Sequence, residues 1–390
     1  MEIKEGNPMS RDEILSCRDA LKELREILFA NVVMAGEIPS PTGREGRLTR
    51  FLSDRFTESG LDNISEDEAG NVAGILSGKV GSRNILVAAH LDKIWSESDD
   101  HTVSVGVGEM SGRGLADNGL GVAALASLPL VLRALEIELD SNLILLGTSR
   151  SFGRGDLRGM RFFLENSDRP IASALCIEGI DLGRLSYSSL GMARGEITVD
   201  LQGVSESPDE DAAGGIAKLA QCAAALIEIN RRECPETGIR IGAIAAGSGF
   251  SVPPRTGSLR FEIRSEDASR VAAVEAEIVA LIDDLSDGGS AGLEVEIIAR
   301  RKPGNLGAKH PLVTSAGKVL ESLGIETHEK PSVSELAALL DKNIPALTLG
   351  ITKGEHRHSP RETIRLEPIF DGLAQVVAMV QYMDGEEFSF

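Results

Sequence analysis

The stretch Asn84-Ile85-Leu86-Val87-Ala88-Ala89-His90-Leu91-Asp92 decides the fold of this chain. Its first six residues form an almost continuous apolar run, which is typical of a strand covered on both faces by helices. Residues 143–146 and 174–177 have the same character, and residues 121–135 form a strongly apolar helical segment between the first two runs. The order strand, helix, strand predicts a doubly wound α/β layer.

The pattern changes near Arg194 and changes back after Arg301. Within these bounds the segments read strand, helix, strand, strand, helix, strand: residues 195–202, 211–232, 239–245, 256–264, 268–285 and 293–299. This βαββαβ order is that of a ferredoxin-like module. We therefore predict a three-layer αβα domain made of residues 1–193 and 302–390, with a ferredoxin-like α+β domain, residues 194–301, inserted into it.

Composition limits the classes of function. The chain has 390 residues, 42% of them hydrophobic, which is enough for two packed domains. Its formal net charge of −20 opposes binding to nucleic acid or to anionic membranes. No apolar run approaches the ~18 residues of a membrane span. The four cysteines are scattered and the N-terminus has no signal-peptide pattern, so we expect a cytoplasmic protein.

Four polar stretches lie next to predicted strands or helices, where open α/β sheets place their sites. They are His90-Leu91-Asp92, residues 114–119 with Asp117, Glu178 after the third apolar run, and residues 356–362 with His358. Asp92 is placed to orient the His90 ring, since alternate residues of an extended chain share a face. Taken singly, each signal is weak: Asp117 or Asn118 could equally cap the helix that follows.

Taken in order, these stretches resemble the metallopeptidase family that contains tripeptidase T, carboxypeptidase G, acetylornithine deacetylase and the aminoacylases. The resemblance runs from residue 38 almost to the C-terminus and is closest to the tripeptidase T-like branch. It rests on Ile38-Pro39-Ser40-Pro41-Thr42-Gly43-Arg44-Glu45, Gly70-Asn71, His90-Leu91-Asp92, Asp117-Asn118-Gly119, Ile177-Glu178-Gly179, Phe261-Glu262-Ile263-Arg264-Ser265 and His358-Ser359-Pro360-Arg361-Glu362.

The resemblance implies a site for two divalent ions, zinc by preference, with cobalt or manganese as alternatives. Asp117 would bridge the two ions, His90 and Glu178 would complete the shell of the first, and His358 would bind the second. Imidazole and carboxylate ligands suit these metals. The implied substrate is a small peptide or an acylated amino acid, and the implied assembly is a homodimer formed through the inserted domain.

The sequence departs from the family pattern at the catalytic carboxylates. Where the family has Glu-Glu-Gly, this chain has Ser151-Phe152-Gly153. The resemblance therefore implies that Ser151 stands at the position of the general base and Phe152 at that of a ligand for the second ion. Asp156 is a weak candidate for a substitute base. One ion is accordingly expected rather than two.

The inserted domain departs from the pattern as well. Glu206 stands where the family often has a histidine that stabilises the reacting carbonyl, and Ser251 where it has a substrate-binding asparagine. Arg264 is retained as a candidate substrate-binding residue, although a structural role is equally open.

Two hypotheses follow. The first is a metal-dependent hydrolase, of the peptidase or N-acyl-amino-acid amidohydrolase type, whose degraded site has weak or no activity. The second is a non-catalytic relative that binds a small peptide or amino-acid derivative, or serves as an assembly subunit. A nucleotide-binding α/β domain is disfavoured, because Gly153-Arg154-Gly155 lacks the lysine and the spacing of a phosphate loop.

Overall fold

A computed structural model describes residues 9–201, 214–250, 252–286 and 292–388. It divides the chain into two compact units, one formed by Met1–Ser188 and Asn305–Phe390, the other by Ser189–Gly304. The predicted boundary at Arg194 lies inside the strand Gly191–Asp200, since the alternation that marks this strand is clear only in its later residues.

The first unit is built on an eight-stranded sheet. Its four central strands are parallel and run in the order Asn142–Thr148, Asn84–His90, Ser173–Ile180, Ala346–Thr352. The flanking strands are Asp62–Glu66, Val72–Leu76, Arg184–Ser186 and His328–Glu329. Every residue of Asn84–His90 is buried, as its apolar composition predicts. Strands from both ends of the chain share this sheet, so the unit is discontinuous in sequence.

Helices cover both faces of the sheet. Ile85, Val87 and Ala89 face a large core, whereas Leu86 and Ala88 face a smaller one, as expected for alternating side chains. The large core is formed with the helices Arg11–Leu21, Arg25–Glu37, Gly46–Glu58, Leu120–Ala134, Pro311–Ser322 and Ile369–Gly385. The smaller core is formed with the helices Arg158–Asn166 and Leu336–Asp341. The predicted three-layer αβα class is confirmed.

One helical stretch, Leu115–Ala134, is long and apolar enough to cross a membrane. However, 94% of its most apolar window is buried inside the protein. Its composition is thus explained by its central place in the large core, consistent with a soluble protein.

The second unit has a four-stranded antiparallel sheet and two helices. The strands lie in the order Thr237–Ala246, Thr256–Ser265, Gly191–Asp200, Leu293–Arg301, and the helices are Gly214–Glu233 and Ala268–Leu285. Along the chain this is βαββαβ, and both helices contribute to one apolar core against the sheet. The predicted ferredoxin-like insert is confirmed.

Short strands support the loops around the polar stretches of the first unit. Ser104–Val105, Glu109–Ser111, Thr363–Arg365 and Gly354–Glu355 form a second, small sheet. Two of them, Gly354–Glu355 and Thr363–Arg365, bracket the loop that carries His358 and pair with each other. The ends of this loop are therefore held together by backbone hydrogen bonds.

Lys93 anchors the loop that follows His90. Its buried Nζ donates hydrogen bonds of 2.8 Å to three backbone carbonyls, those of Ala35, Gly36 and Ile38, at the end of the helix Arg25–Glu37. The side chain passes over Gly114, where an added Cβ would lie 2.4 Å from the lysine Cδ. One ammonium group thus satisfies three carbonyl groups that the end of the helix leaves without partners.

We predict that Lys93→Met destabilises the first unit by about 3 kcal/mol or more, because three buried carbonyls lose their donor at about 1–3 kcal/mol each. The measurement is urea unfolding followed by the fluorescence of Trp95, the only tryptophan of the chain. The control is Lys79→Met, since the Lys79 side chain is exposed and pairs with the exposed Glu138. Equal unfolding midpoints for the two variants would contradict the anchoring role.

Candidate metal centre

Three polar side chains, those of Thr148, His90 and Glu178, lie side by side on neighbouring central strands. His90 pairs in register with Thr148 on one neighbouring strand. On the other side Ala88 pairs with Cys176, so the next residue on the same face, Glu178, lies beside His90. Neighbouring strands are about 4.8 Å apart, which brings these three side chains into one row on the face of the smaller core.

Asp117 enters the same region from the turn before the helix Leu120–Ala134. Gly114 begins this turn with a positive φ of 69°, and the peptide bond between Asp117 and Asn118 is cis. The Asn118 amide donates to the carbonyl of Ile177 at 2.9 Å, which ties the turn to the strand that carries Glu178. No side chain caps the helix, so the capping role considered for Asp117 and Asn118 is not observed.

The structure brings together all four predicted ligands. Asp117 Oδ1 lies 3.0 Å from His90 Nε2, and Asp117 Oδ2 lies 2.7 Å from His358 Nε2. Ligand atoms of His90, Asp117 and Glu178 lie within 4.8 Å of one another, and all three residues are buried. One imidazole and two carboxylates gathered in this way fit a divalent ion.

Asp92 supports His90 in a different way from the one predicted. His90 Nδ1 donates to the backbone carbonyl of Asp92 at 3.1 Å, while the nearest carboxylate oxygen is 3.6 Å away. The other carboxylate oxygen accepts hydrogen bonds of 2.8 Å from Thr42 Oγ1 and from the backbone N–H of Phe152. Asp92 therefore orients the His90 ring through its main chain and fixes the neighbouring segment through its side chain.

Glu362 holds the His358 loop against the Asp117 turn. One of its carboxylate oxygens accepts from the backbone N–H of His358 at 2.9 Å, the other from that of Ala116 at 3.0 Å. The residue is fully buried. The sequence places Glu362 in the last motif of the resemblance but does not reveal this bridging role, because Ala116 is 246 residues away.

The charges in this cluster depend on one another. Burial alone would lower the pKa of His90, but hydrogen bonds to Asp117 and Asp92 raise it well above the ordinary histidine value. The bond to Asp117 likewise raises the pKa of His358. Burial would raise the pKa of Asp117, yet His358 and His90 hold it well below its usual range. Without an ion, the two imidazoles therefore neutralise Asp117 by holding protons.

Phe152 occupies the position at which the resemblance implies a second-ion ligand. Its ring lies edge-on to His90, with centroids 5.0 Å apart at 83°, and edge-on to His358, with centroids 6.4 Å apart at 86°. An aromatic ring at this position offers a cation no lone pair.

Ser151 has a carboxylate partner that the sequence did not reveal. Its Oγ donates a hydrogen bond to Glu335 Oε1, and Thr148 Oγ1 donates to the same oxygen at 3.2 Å. Glu335 precedes the short helix Leu336–Asp341 and lies 184 residues from Ser151. Its only sequence signal is an acid at the start of an apolar helix, which is typical of an ordinary helix start.

Arg357 is a second functional candidate that the sequence did not single out. Its Nη2 lies 3.4 Å from Glu178 Oε2, and its Nε lies 3.7 Å from Asp117 Oδ2. A guanidinium is permanently charged, so it adds a fixed positive charge next to two predicted metal ligands.

The other predicted site residues have different surroundings. Asp156, considered as a substitute base, has its carboxylate paired with Arg161 at 2.8 Å. Arg264, in the second unit, donates to the carboxylate of Glu262. Glu206 and Ser251 lie outside the described residues.

Comparisons with known proteins identify the fold. No protein-family model matches the sequence, and no curated protein does. Solved structures match nearly the whole chain. The di-peptidase Dug1p of Saccharomyces cerevisiae aligns with 97% of this chain and 100% of its own (TM-score 0.74, 14% identity).

Two bacterial structures give the same result. The aminopeptidase PepT of Bacillus cereus aligns with 92% of this chain and 98% of its own (TM-score 0.67, 16% identity). YXEP of Bacillus subtilis, a dinuclear metal-binding peptidase of the M20 family, aligns with 91% of this chain and 99% of its own (TM-score 0.59, 16% identity). These three structural neighbours are thus peptidases, and this chain shares their fold.

We predict that zinc binds more tightly as the pH rises from the ordinary histidine value of 6.5. The raised pKa values mean that His90 and His358 still carry protons above that pH, and an ion must displace them. Each released proton changes the affinity up to about tenfold per pH unit. Calorimetric titration in buffers of different ionisation enthalpy measures both quantities, and an affinity that is constant from pH 6.5 upwards with no proton release would contradict the prediction.

Proposed function

We propose that this chain, which has the fold of the M20 metallopeptidases, is a metal-dependent hydrolase of small peptides or N-acyl amino acids that works slowly with one divalent ion. The observation that carries the proposal is the buried set of His90, Asp117 and Glu178, whose ligand atoms lie within 4.8 Å of one another. The surrounding residues then decide how many ions this set can serve.

The donor set matches the chemistry of the proposed ion. One imidazole and two carboxylates suit Zn²⁺ and also Co²⁺ or Mn²⁺. When bound, the ion would polarise a scissile carbonyl and lower the pKa of a water molecule. The protein's own part is positioning: the Asp92 carbonyl fixes the His90 ring, and Glu362 holds the Asp117 turn against the His358 loop.

Two side chains argue for one ion rather than two. The Phe152 ring contacts the rings of both His90 and His358 and has no donor atom. The Arg357 guanidinium already neutralises part of the negative charge of Asp117 and Glu178. A second cation would have to approach a fixed positive charge while lacking a ligand, and both effects oppose its binding.

The slow rate follows from the replaced base. Removing a general base typically costs about 10²- to 10⁴-fold in rate, and Ser151 cannot accept a proton without a base of its own. The substrate class is supported by the structural neighbours, which include a di-peptidase and an aminopeptidase. We further propose a cytoplasmic homodimer, on the basis of the four free cysteines and of the shared fold.

The same replaced residues favour the alternative of a non-catalytic relative that binds a small peptide or amino-acid derivative. Turnover separates the two. The experiment is to measure the zinc content of the purified protein together with hydrolysis of dialanine, trialanine and N-acetylmethionine. About one ion per chain with slow, chelator-sensitive hydrolysis would support the proposal, whereas binding of these compounds without hydrolysis would support the alternative.

We predict that Phe152→Glu raises the ion count from about one towards two. The new carboxylate would face His358 and restore the missing ligand of the second ion. The matched control is Phe152→Leu, which removes the aromatic ring without adding a ligand and should leave the count unchanged. Metal analysis after dialysis gives both numbers. Two tightly bound ions in the unaltered protein would contradict the proposed one-ion site.

A further inference from the structure

Glu335 is a buried carboxylate whose charge is not balanced by an ion pair. It is only 2% exposed. In the described ranges, no lysine, arginine or histidine nitrogen lies within 4.0 Å of it, and its side-chain partners are the hydroxyls of Ser151 and Thr148. Carboxylates are seldom fully buried without a cation, because desolvation of the charge is costly. Packing alone gives no reason for a glutamate here.

The position of Glu335 beside the candidate metal centre gives a reason for a buried carboxylate. Thr148, one of its two partners, pairs in register with His90, and the two side chains lie on the same face of the sheet. Ser151, the other partner, precedes Phe152, whose ring touches His90 and whose backbone is tied to Asp92. Glu335 therefore reaches, through one hydroxyl, the position at which the family resemblance implies the general base.

We propose that Ser151 and Glu335 form a two-residue proton relay that replaces the missing general base. The inference rests on the proposed hydrolase function and adds to it a route for the proton. The serine alone has no proton affinity near neutral pH, but a serine hydrogen-bonded to a carboxylate can hand its proton on as it receives another.

The relay moves two protons in one step. A water molecule gives a proton to Ser151 Oγ while the hydroxyl proton of Ser151 passes to Glu335 Oε1. The water oxygen forms a bond to the carbonyl carbon, and the π electrons of the C=O bond move to its oxygen. When this intermediate collapses, the C–N bond breaks and its electron pair stays on nitrogen. Glu335 then returns the proton through Ser151 to the leaving amine.

The charges around Glu335 are compatible with this role. Burial raises the pKa of Glu335, the nearby carboxylate of Glu178 raises it further, and His90 lowers it. Burial raises the pKa of the Cys176 thiol well above its ordinary value, and the nearby Glu335 and Glu178 carboxylates raise it further. Since the folded state disfavours the Glu335 charge, ionisation of Glu335 destabilises the fold increasingly as the pH rises above the ordinary value of 4.5.

Glu335→Gln tests the relay, because the amide oxygen can keep both hydroxyl hydrogen bonds while the charge and the proton affinity are lost. We expect hydrolysis of trialanine to fall about 10²- to 10⁴-fold, with zinc content unchanged. At pH 7.5 we also expect the metal-free variant to melt about 2 °C or more above the unaltered protein. If Glu335 had only a structural role, the substitution Glu335→Gln would lower the melting temperature instead. The control Glu196→Gln, at a buried glutamate of the second unit, should leave hydrolysis unchanged.

A relocated carboxylate provides the second test. Ser151→Glu combined with Glu335→Gln puts a carboxylate at the position where the resemblance implies the general base. The double variant should hydrolyse trialanine at least tenfold faster than Glu335→Gln alone. Hydrolysis that persists in Glu335→Gln would overturn the relay and leave the proposed function intact. A loss accompanied by a lower melting temperature and no recovery would also overturn the relay. No zinc binding or no hydrolysis in the unaltered protein would overturn the proposed function itself.

Discussion

The carboxylate of Asp117 is the interaction on which the site depends. It is buried, and it accepts contacts from His90 on one oxygen and from His358 on the other. Burying a charge is costly, and the two imidazoles that offset the charge of Asp117 come from chain segments far apart in sequence. Glu362 reinforces the same junction by joining the backbones of the two loops. The two sequence segments of the first unit are therefore joined twice. Ionic and hydrogen-bond contacts join them at the site, and the central apolar sheet joins them in the core.

Sequence reasoning succeeded where signals are local. The apolar run before His90 predicts a strand covered on both faces, and the βαββαβ order of the insert needs only short-range periodicity. The four predicted ligands follow from ordered motifs, which the structure brings together. The sequence predicts that Asp92 orients the His90 ring, but it does not show that the backbone carbonyl of Asp92 does so instead of the carboxylate.

Glu335 and Arg357 were not found because their significance lies in tertiary contacts. Glu335 meets Ser151 across 184 residues, and an acid before an apolar helix has a common local explanation. Arg357 lies next to a predicted ligand, but nothing in the sequence shows that its guanidinium turns towards Asp117 and Glu178. Together with Phe152 they alter the site by changing its charges and its filled volume, while the backbone that carries the ligands keeps the family fold.

The pairing of Ser173–Ile180 with Ala346–Thr352 has a consequence for synthesis of the chain on the ribosome. About 165 residues separate the two strands, and at about 5–20 residues per second the second strand emerges roughly 10–30 s after the first. During that interval the nascent sheet exposes an apolar edge of the kind that recruits other chains. The central sheet is therefore complete only when nearly the whole chain has been made, because its last central strand ends at Thr352.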